Sequence, residues 1–238
     1  SPMNNAIIKI IPNSSFPLIA IRLICSRWYI NILDFRNLFE VGFLFIFMKL
    51  AVLFSGGKDS CYAMYQVSGE HDIVCLLSVF SENPESYMFH VPNIEWTKLQ
   101  AEAMDLPILV ENTKGEKEKE LEDLKKLIVD AKEKFKIEGV VTGALASNYQ
   151  ASRIQKICDE LDLKCLNPLW GMDQVQLLNE LLDVGFETLI VGVFGYPLDE
   201  KWLGKKLNHA LIEDLKKHSE KYQINPAGEG GEIETFVL

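Results

Sequence analysis

From residue 48 onward, short apolar runs alternate with stretches whose apolar residues recur at helical spacing. Residues 50–54 are apolar throughout, as expected of a strand buried on both faces of a parallel sheet. A glycine-rich turn follows, then a helical stretch beginning near Asp59. Residues 73–80 predict a second strand, 94–104 a helix and 107–110 a third strand. Residues 116–136 predict a long charged helix with an inward stripe at Leu121, Leu124, Ile128, Ala131 and Phe135. A fourth strand at 139–143, a helix at 149–161 and a strand at 163–166 complete five strand–helix alternations. That rhythm predicts an α/β fold with a doubly wound parallel sheet. Beyond Trp170 and Gly171 the pattern changes. A helix at 174–182, a strand at 188–194, a helix at 208–218 and a glycine-rich polar tail predict a second, smaller α/β unit.

Residues 1–47 break this rhythm. Lys9, Arg22, Arg27 and Arg36 stand there against Asp34 and Glu40, so 24 basic and 34 acidic residues become 20 and 32 once those six are set aside. The apolar run 41–47 is shorter than the ~20 residues that a membrane helix needs, and no small-residue cleavage site is clear. Ser1, Pro2 and Met3 resemble an expression scar, and Met48 reads as a native start. Residues 1–47 are therefore expected to be a non-native or upstream-start extension.

The chain has 238 residues, 48% of them hydrophobic, which is ample for a packed core. Its formal charge of −10 counts against a nucleic-acid partner, which would demand a basic face. No membrane partner is expected either. Cys25, Cys61, Cys75, Cys158 and Cys165 are odd in number and lack metal-ligand spacing. Reduced thiols in a cytoplasm fit best, with Cys75 and Cys165 on buried strands.

In an open parallel sheet, ligands bind beyond the carboxyl ends of the strands. Ser55, Gly56, Gly57, Lys58, Asp59 and Ser60 fall there after the first strand. The glycines let the backbone approach an anion, and the helix that follows aims free N–H groups and its positive dipole end at it. Ser55 and Ser60 add hydroxyls, and Lys58 adds a mobile charge. A Walker loop does not fit, because Val52 stands where its first glycine belongs and Asp59 follows the lysine. No Gly-x-Gly-x-x-Gly occurs either. An ordinary strand–helix turn would leave two serines, a lysine and an aspartate together by chance.

Phe54 to Ser60 resembles the loop of the N-type ATP pyrophosphatases, which split ATP between its α and β phosphates and hold the pyrophosphate. Four further segments narrow the resemblance: 83–90, 143–153, 167–170 and 225–235. Their order and wording resemble the diphthine–ammonia ligases, which amidate the modified histidine of translation elongation factor 2. The resemblance covers essentially all of 48–238. It implies a Rossmann-like sheet of the adenine-nucleotide alpha-hydrolase type, an ATP-binding domain at 48–170 and a substrate domain at 171–238. Residues 1–47 have no counterpart, and family members usually continue a little past the position of Leu238. The substrate domain is thus open to being shortened.

The resemblance implies ATP, a carboxylate and ammonia as reactants, and an amide, AMP and pyrophosphate as products. Adenylation gives the carboxylate a good leaving group, which ammonia displaces in a water-poor cleft. Ser55, Gly56, Gly57, Lys58 and Ser60 are assigned to the β and γ phosphates. Asp59 suits a Mg²⁺ ligand beside phosphate oxygens, or a cap for the helix it opens. Ser86 and His90 would contact the nucleotide or the acceptor, although a lone histidine such as His90 is more often structural. Tyr87 and Phe89 suit a core or a stacking surface. Gly143 suits a close backbone approach to ligand, or simply a strand end. Ser147, Tyr149, Gln150 and Arg153 cluster at a helix start that would receive an anion; an exposed surface arginine is the plain alternative. Trp170 reads as a hinge or core residue. Glu229, Glu232 and Glu234 surround Gly230 and Gly231 in a tail too polar for a core strand. They would orient ammonia, take its proton or face the trimethylated cation of diphthine, with a solvated acidic end as the alternative. Lys58, Glu232 and Glu234 are the catalytic assignments. Expected partners are ATP, ammonia and elongation factor 2 carrying diphthine, with a homodimer admitted. A tRNA-modifying pyrophosphatase, of thiolase or lysidine-forming type, and a nucleotide sensor without turnover are the competing readings. The acidic balance and the lack of a Cys-x-x-Cys pair favour the ligase.

Overall fold

The computed structural model describes residues 9–10, 47–83, 94–116 and 118–238. These fall into two compact units, one reaching Trp170 and one running from Gly171 to Leu238. The short strand β1 (Lys9–Ile10) belongs with the second.

In the first unit, β2 (Lys49–Leu53) leads to α1 (Lys58–Ser68), and β3 (Asp72–Ser81) to α2 (Thr97–Ala103). β4 (Ile108–Thr113) leads to α3 (Glu120–Phe135), β5 (Gly139–Val141) to α4 (Asn148–Glu160), and β6 (Lys164–Leu166) follows. The strands lie in the order β4-β3-β2-β5-β6 and every pairing is parallel. The chain therefore starts mid-sheet, builds outward through β3 and β4, and returns to add β5 and β6. This is a Rossmann-like doubly wound sheet. The order reverses between β2 and β5, and a crevice at such a switch point is where ligands enter.

The core follows from the apolar runs. Leu50, Ala51, Val52, Val140 and Val141 are wholly buried, and Leu76 joins Val52 and Val141 in one register layer. α3 lays Leu124, Leu127, Ile128 and Ala131 against the sheet. Truncating one such leucine to alanine costs about 2–5 kcal/mol. Leu121 and Phe135 of the expected stripe only flank this cluster, and Leu127 takes a fully inward place. α3 starts at Glu120, not residue 116, because Glu118 adopts φ +68 and interrupts a right-handed helix. Cys75 is buried in β3, while Cys165 on the edge strand β6 is only half-buried.

The second unit contains α5 (Gln174–Asp183), β7 (Thr188–Val193), α6 (His209–Tyr222) and β8 (Ile233–Val237). Its sheet has the order β1-β7-β8, with both pairings antiparallel. Asp173 and Asn208 cap α5 and α6 by accepting from the N–H groups of Gln176 and Leu211, both at 2.9 Å. The tail was expected to be too polar for a core strand, and β8 corrects that. Its carboxylates sit at or before its first half, whereas Phe236, 1% exposed, and Val237 fill its buried end. Of residues 1–47, the described Lys9 and Ile10 pair with Val193 and Gly192. Among the described residues no helix is long and apolar enough to cross a membrane.

Candidate active site

β2 delivers the loop 55–60 to the carboxyl edge of the sheet at its switch point. Gly56 takes φ +76, the left-handed region that any side chain would make costly. The chain then enters α1 through Gly57, an N-cap with no side chain to block the helix end. Asp59 is consequently the second residue of α1 and not its cap, which corrects one of its two expected roles. Inside the loop the Ser55 N–H donates to Ser60 Oγ at 3.3 Å, and the Gly57 N–H donates to Ser55 Oγ at 3.4 Å. The two hydroxyl oxygens lie 3.2 Å apart, and Ser60 Oγ donates to the Gly57 carbonyl at 3.1 Å. Those N–H bonds exceed the 2.7–3.2 Å of well-made ones, so they yield readily to a charged acceptor.

Lys58 is buried, its side chain 4% exposed, and its Nζ meets both oxygens of Asp59 at 2.8 and 3.0 Å. A lysine and a carboxylate thus stand side by side at the helix end of the loop. Asp59 fits a divalent ion as one carboxylate beside phosphate oxygens. No group of three or more His, Cys, Asp or Glu side chains that could hold a metal ion occurs among the described residues.

Two buried residues that the sequence alone did not single out support the loop from behind. Ser78 of β3 donates to the Phe54 carbonyl at 2.5 Å, and the Gln100 amide of α2 donates to the Gly56 carbonyl at 3.2 Å. Each is 1% exposed. The available signal was a polar residue inside an apolar strand and another within the short helix α2, and neither spacing matches a motif.

The loop after β5 packs directly on the phosphate loop. A side chain at Gly143 would sit 2.8 Å from the backbone carbon of Asp59 and 2.8 Å from the Ser60 nitrogen. The close approach expected at Gly143 is therefore to the first turn of α1 itself. Thr142 beside it donates to Asn167 Oδ1 at 2.5 Å and accepts from the Ala144 N–H at 3.1 Å. Asn167 also points its amide at Cys165 Sγ, 3.7 Å away, so the ends of β5 and β6 are tied together. The neighbouring Cys158 thiol holds the Cys165 thiol below its usual range, and Cys165 pushes Cys158 up.

Ser147 accepts from the Gln150 N–H at 3.3 Å and so caps α4. Arg153 lies 3.5 Å from the centre of the Tyr149 ring, and Glu118 receives its Nε at 3.0 Å and its Nη2 at 2.5 Å. Tyr149 donates to the same carboxylate at 3.3 Å. The structure brings Tyr149 and Arg153 together as expected and adds Glu118 as their shared acceptor. That bond raises the Arg153 pKa, and burial raises that of Tyr149. Trp170 is 44% exposed, which removes its core alternative. Ser86, Tyr87, Phe89 and His90 lie outside the described residues.

In the second unit, Glu232 closes the acidic loop. Its carboxylate accepts from the Asn225 N–H at 2.8 Å, the Asn225 amide at 2.9 Å and the Gly230 N–H at 2.9 Å. Gln174 of α5 extends this network, donating to Asn225 Oδ1 at 3.0 Å and accepting from the Ala227 N–H at 3.0 Å. Gln174 and Asn225 were not foreseen in this role. Glu229 and Glu234 are half-buried, whereas Gly230 and Gly231 are exposed. Glu234 faces Gly192 across the β7–β8 pairing.

A parallel sheet carrying a Ser-Gly-Gly-Lys-Asp-Ser loop at its switch point defines an α/β protein of Rossmann-like class, with a loop chemically suited to an anion. Residues 48–165 match the diphthamide synthase N-terminal domain, and residues 173–238 match the diphthamide synthase C-terminal domain. The chain belongs to the diphthamide synthase family. The diphthine–ammonia ligases of Bos taurus and Homo sapiens are each 37% identical to it over 211 residues, covering 80% of this chain and 79% of theirs. The diphthine–ammonia ligase of Schizosaccharomyces pombe is 36% identical over 208 residues, which is 80% of this chain and 34% of that protein.

Proposed function

We propose that this protein is an ATP-dependent ligase that amidates diphthine with ammonia, releasing AMP and pyrophosphate. Membership of the diphthamide synthase family across both of its domains carries this conclusion. The acceptor is translation elongation factor 2 bearing diphthine, encountered in the cytoplasm.

The chemistry needs a leaving group on an unreactive carboxylate, and ATP supplies it by adenylation. Residues 48–170 handle the nucleotide. The Ser55 and Gly57 N–H groups, the Ser55 and Ser60 hydroxyls and Lys58 receive the β and γ phosphates, offsetting charge that grows as pyrophosphate departs. Asp59 would hold Mg²⁺, whose charge would offset that of the phosphate oxygens. Residues 171–238 handle the acceptor and the amine. Within them Glu234, half-buried in β8 opposite Gly192, is the carboxylate assigned to ammonia as base. Glu232 already accepts three N–H donors and acts by shaping the loop.

Mass spectrometry of elongation factor 2 from a deletion strain tests this assignment. Unamidated diphthine should accumulate, and re-expression of this chain should restore the amide. Persistence of full amidation in the deletion strain would overturn it.

A further inference from the structure

Two buried donors grip two carbonyls of the phosphate loop from the side away from its hydroxyls. Ser78 Oγ holds the Phe54 carbonyl at 2.5 Å, and Gln100 Nε2 holds the Gly56 carbonyl at 3.2 Å. In a trans peptide the carbonyl and the N–H point in opposite directions. The Phe54 carbonyl shares its peptide with the Ser55 N–H, and the Gly56 carbonyl shares its peptide with the Gly57 N–H. Those two N–H groups are the ones aimed at the serine hydroxyls, at 3.3 and 3.4 Å.

We propose that Gln100 and Ser78 are positioning residues for pyrophosphate: by fixing two carbonyls outward they fix the Ser55 and Gly57 N–H groups inward toward the anion. This rests on the phosphate-loop reading above and adds what sets the loop's polarity. Gln100 matters more. The peptide it holds lies between Gly56 and Gly57, and with no Cβ on either side such a peptide rotates at little steric cost. A rotated peptide would present a carbonyl oxygen to the phosphates, replacing attraction by repulsion. On that peptide the Gln100 amide at 3.2 Å is a closer hold than the 3.4 Å contact from the Gly57 N–H to Ser55 Oγ. The peptide after Phe54 is less free, because the Phe54 N–H donates to the Leu77 carbonyl at 2.8 Å and continues the strand pairing. Ser78 therefore makes the smaller contribution.

The test is calorimetric titration of the full chain with pyrophosphate, ATP and AMP, comparing wild type, Gln100→Met and Ser78→Ala. Methionine keeps the length of glutamine but removes the donor, and the alanine variant guards against a folding defect at the helix site. Gln100→Met should weaken pyrophosphate and ATP roughly tenfold or more, about 1.4 kcal/mol. Ser78→Ala should weaken them a few-fold. AMP affinity and melting temperature should stay near wild type in at least the milder variant. Unchanged pyrophosphate affinity in both variants would overturn the proposal. So would equal weakening of AMP and pyrophosphate, the mark of a merely structural role. A wild-type chain that binds no pyrophosphate would instead overturn the phosphate-loop reading and this assignment with it.

Discussion

At the phosphate loop, the residues assigned to chemistry are held in place by others; at the acidic loop near the C terminus, a residue assigned to chemistry does the holding. Ser55, Gly57 and Ser60 present loosely bonded donors to one another, while Ser78 and Gln100 grip the backbone from the core. Glu232, by contrast, accepts three N–H groups of its own loop. The lesson concerns spare capacity. Groups whose hydrogen bonds are long exchange them for substrate at little cost, whereas a carboxylate filled by well-made bonds defines a shape. The parallel sheet lends its loop a rigid floor at a switch point, and the antiparallel sheet leaves its loop to close upon itself.

Substitutions at the two loops separate these modes. The largest effect is expected from Gly143→Val, since its side chain would meet the Asp59 and Ser60 backbone at 2.8 Å. Overpacking against backbone costs about 3 kcal/mol, so the variant should melt markedly lower and lose measurable ATP binding. A variant with wild-type melting and ATP affinity would break the claim that the β5 loop braces the phosphate loop.

Lys58→Ala comes next. Loss of a charge-assisted bond is worth ~1.5–3 kcal/mol, or roughly ten- to hundredfold in ATP affinity. AMP should bind as before, because the phosphates assigned to Lys58 are absent from it; titration with both nucleotides checks this.

The acidic loop is probed by Glu232→Gln against Glu234→Gln. The first replaces an acceptor of three N–H donors and should destabilise the protein by about 1–3 kcal/mol in denaturant melts. The second should slow the ammonia-dependent step while nucleotide binding persists. The reverse pattern would return Glu232 to a chemical role.

A surface pair away from both loops sets the lower end of the scale. Lys125 donates to Glu160 at 2.6 Å, joining α3 and α4, and its hydrogen bond and charge hold the Glu160 carboxyl below the usual range. Because the folded-state pKa is depressed, the stabilisation is present above the ordinary carboxylate pKa and is lost as pH falls through the lowered value. The melting difference between wild type and Lys125→Ala should be small, close on acidification and shrink in salt.

Much of this molecule was legible from its residues. The run 50–54 announced β2, and the five alternations announced the parallel sheet, because burial on both faces leaves an unbroken apolar signature. The turn at 55–60 from strand into helix was legible because its glycines and hydroxyls are consecutive. The supports were not. Ser78 and Gln100 act across 24 and 44 residues of sequence, and a single buried polar residue leaves no periodic trace. The start of α3 was misplaced because Glu118 takes a left-handed conformation that no glycine announced. β8 was hidden by carboxylates at its beginning, although Phe236 and Val237 anchor its end.

The central claim is that the loop 55–60 holds pyrophosphate while AMP activates the diphthine carboxylate. The most direct measurement is product analysis of ATP turnover with elongation factor 2 bearing diphthine and ammonia. The account predicts AMP and pyrophosphate in equal amounts, dependent on both acceptor and ammonia. It also predicts a rate that rises with the fraction of unprotonated amine. Formation of ADP, or AMP formation that bulk tRNA stimulates and the diphthine-bearing protein does not, would contradict it.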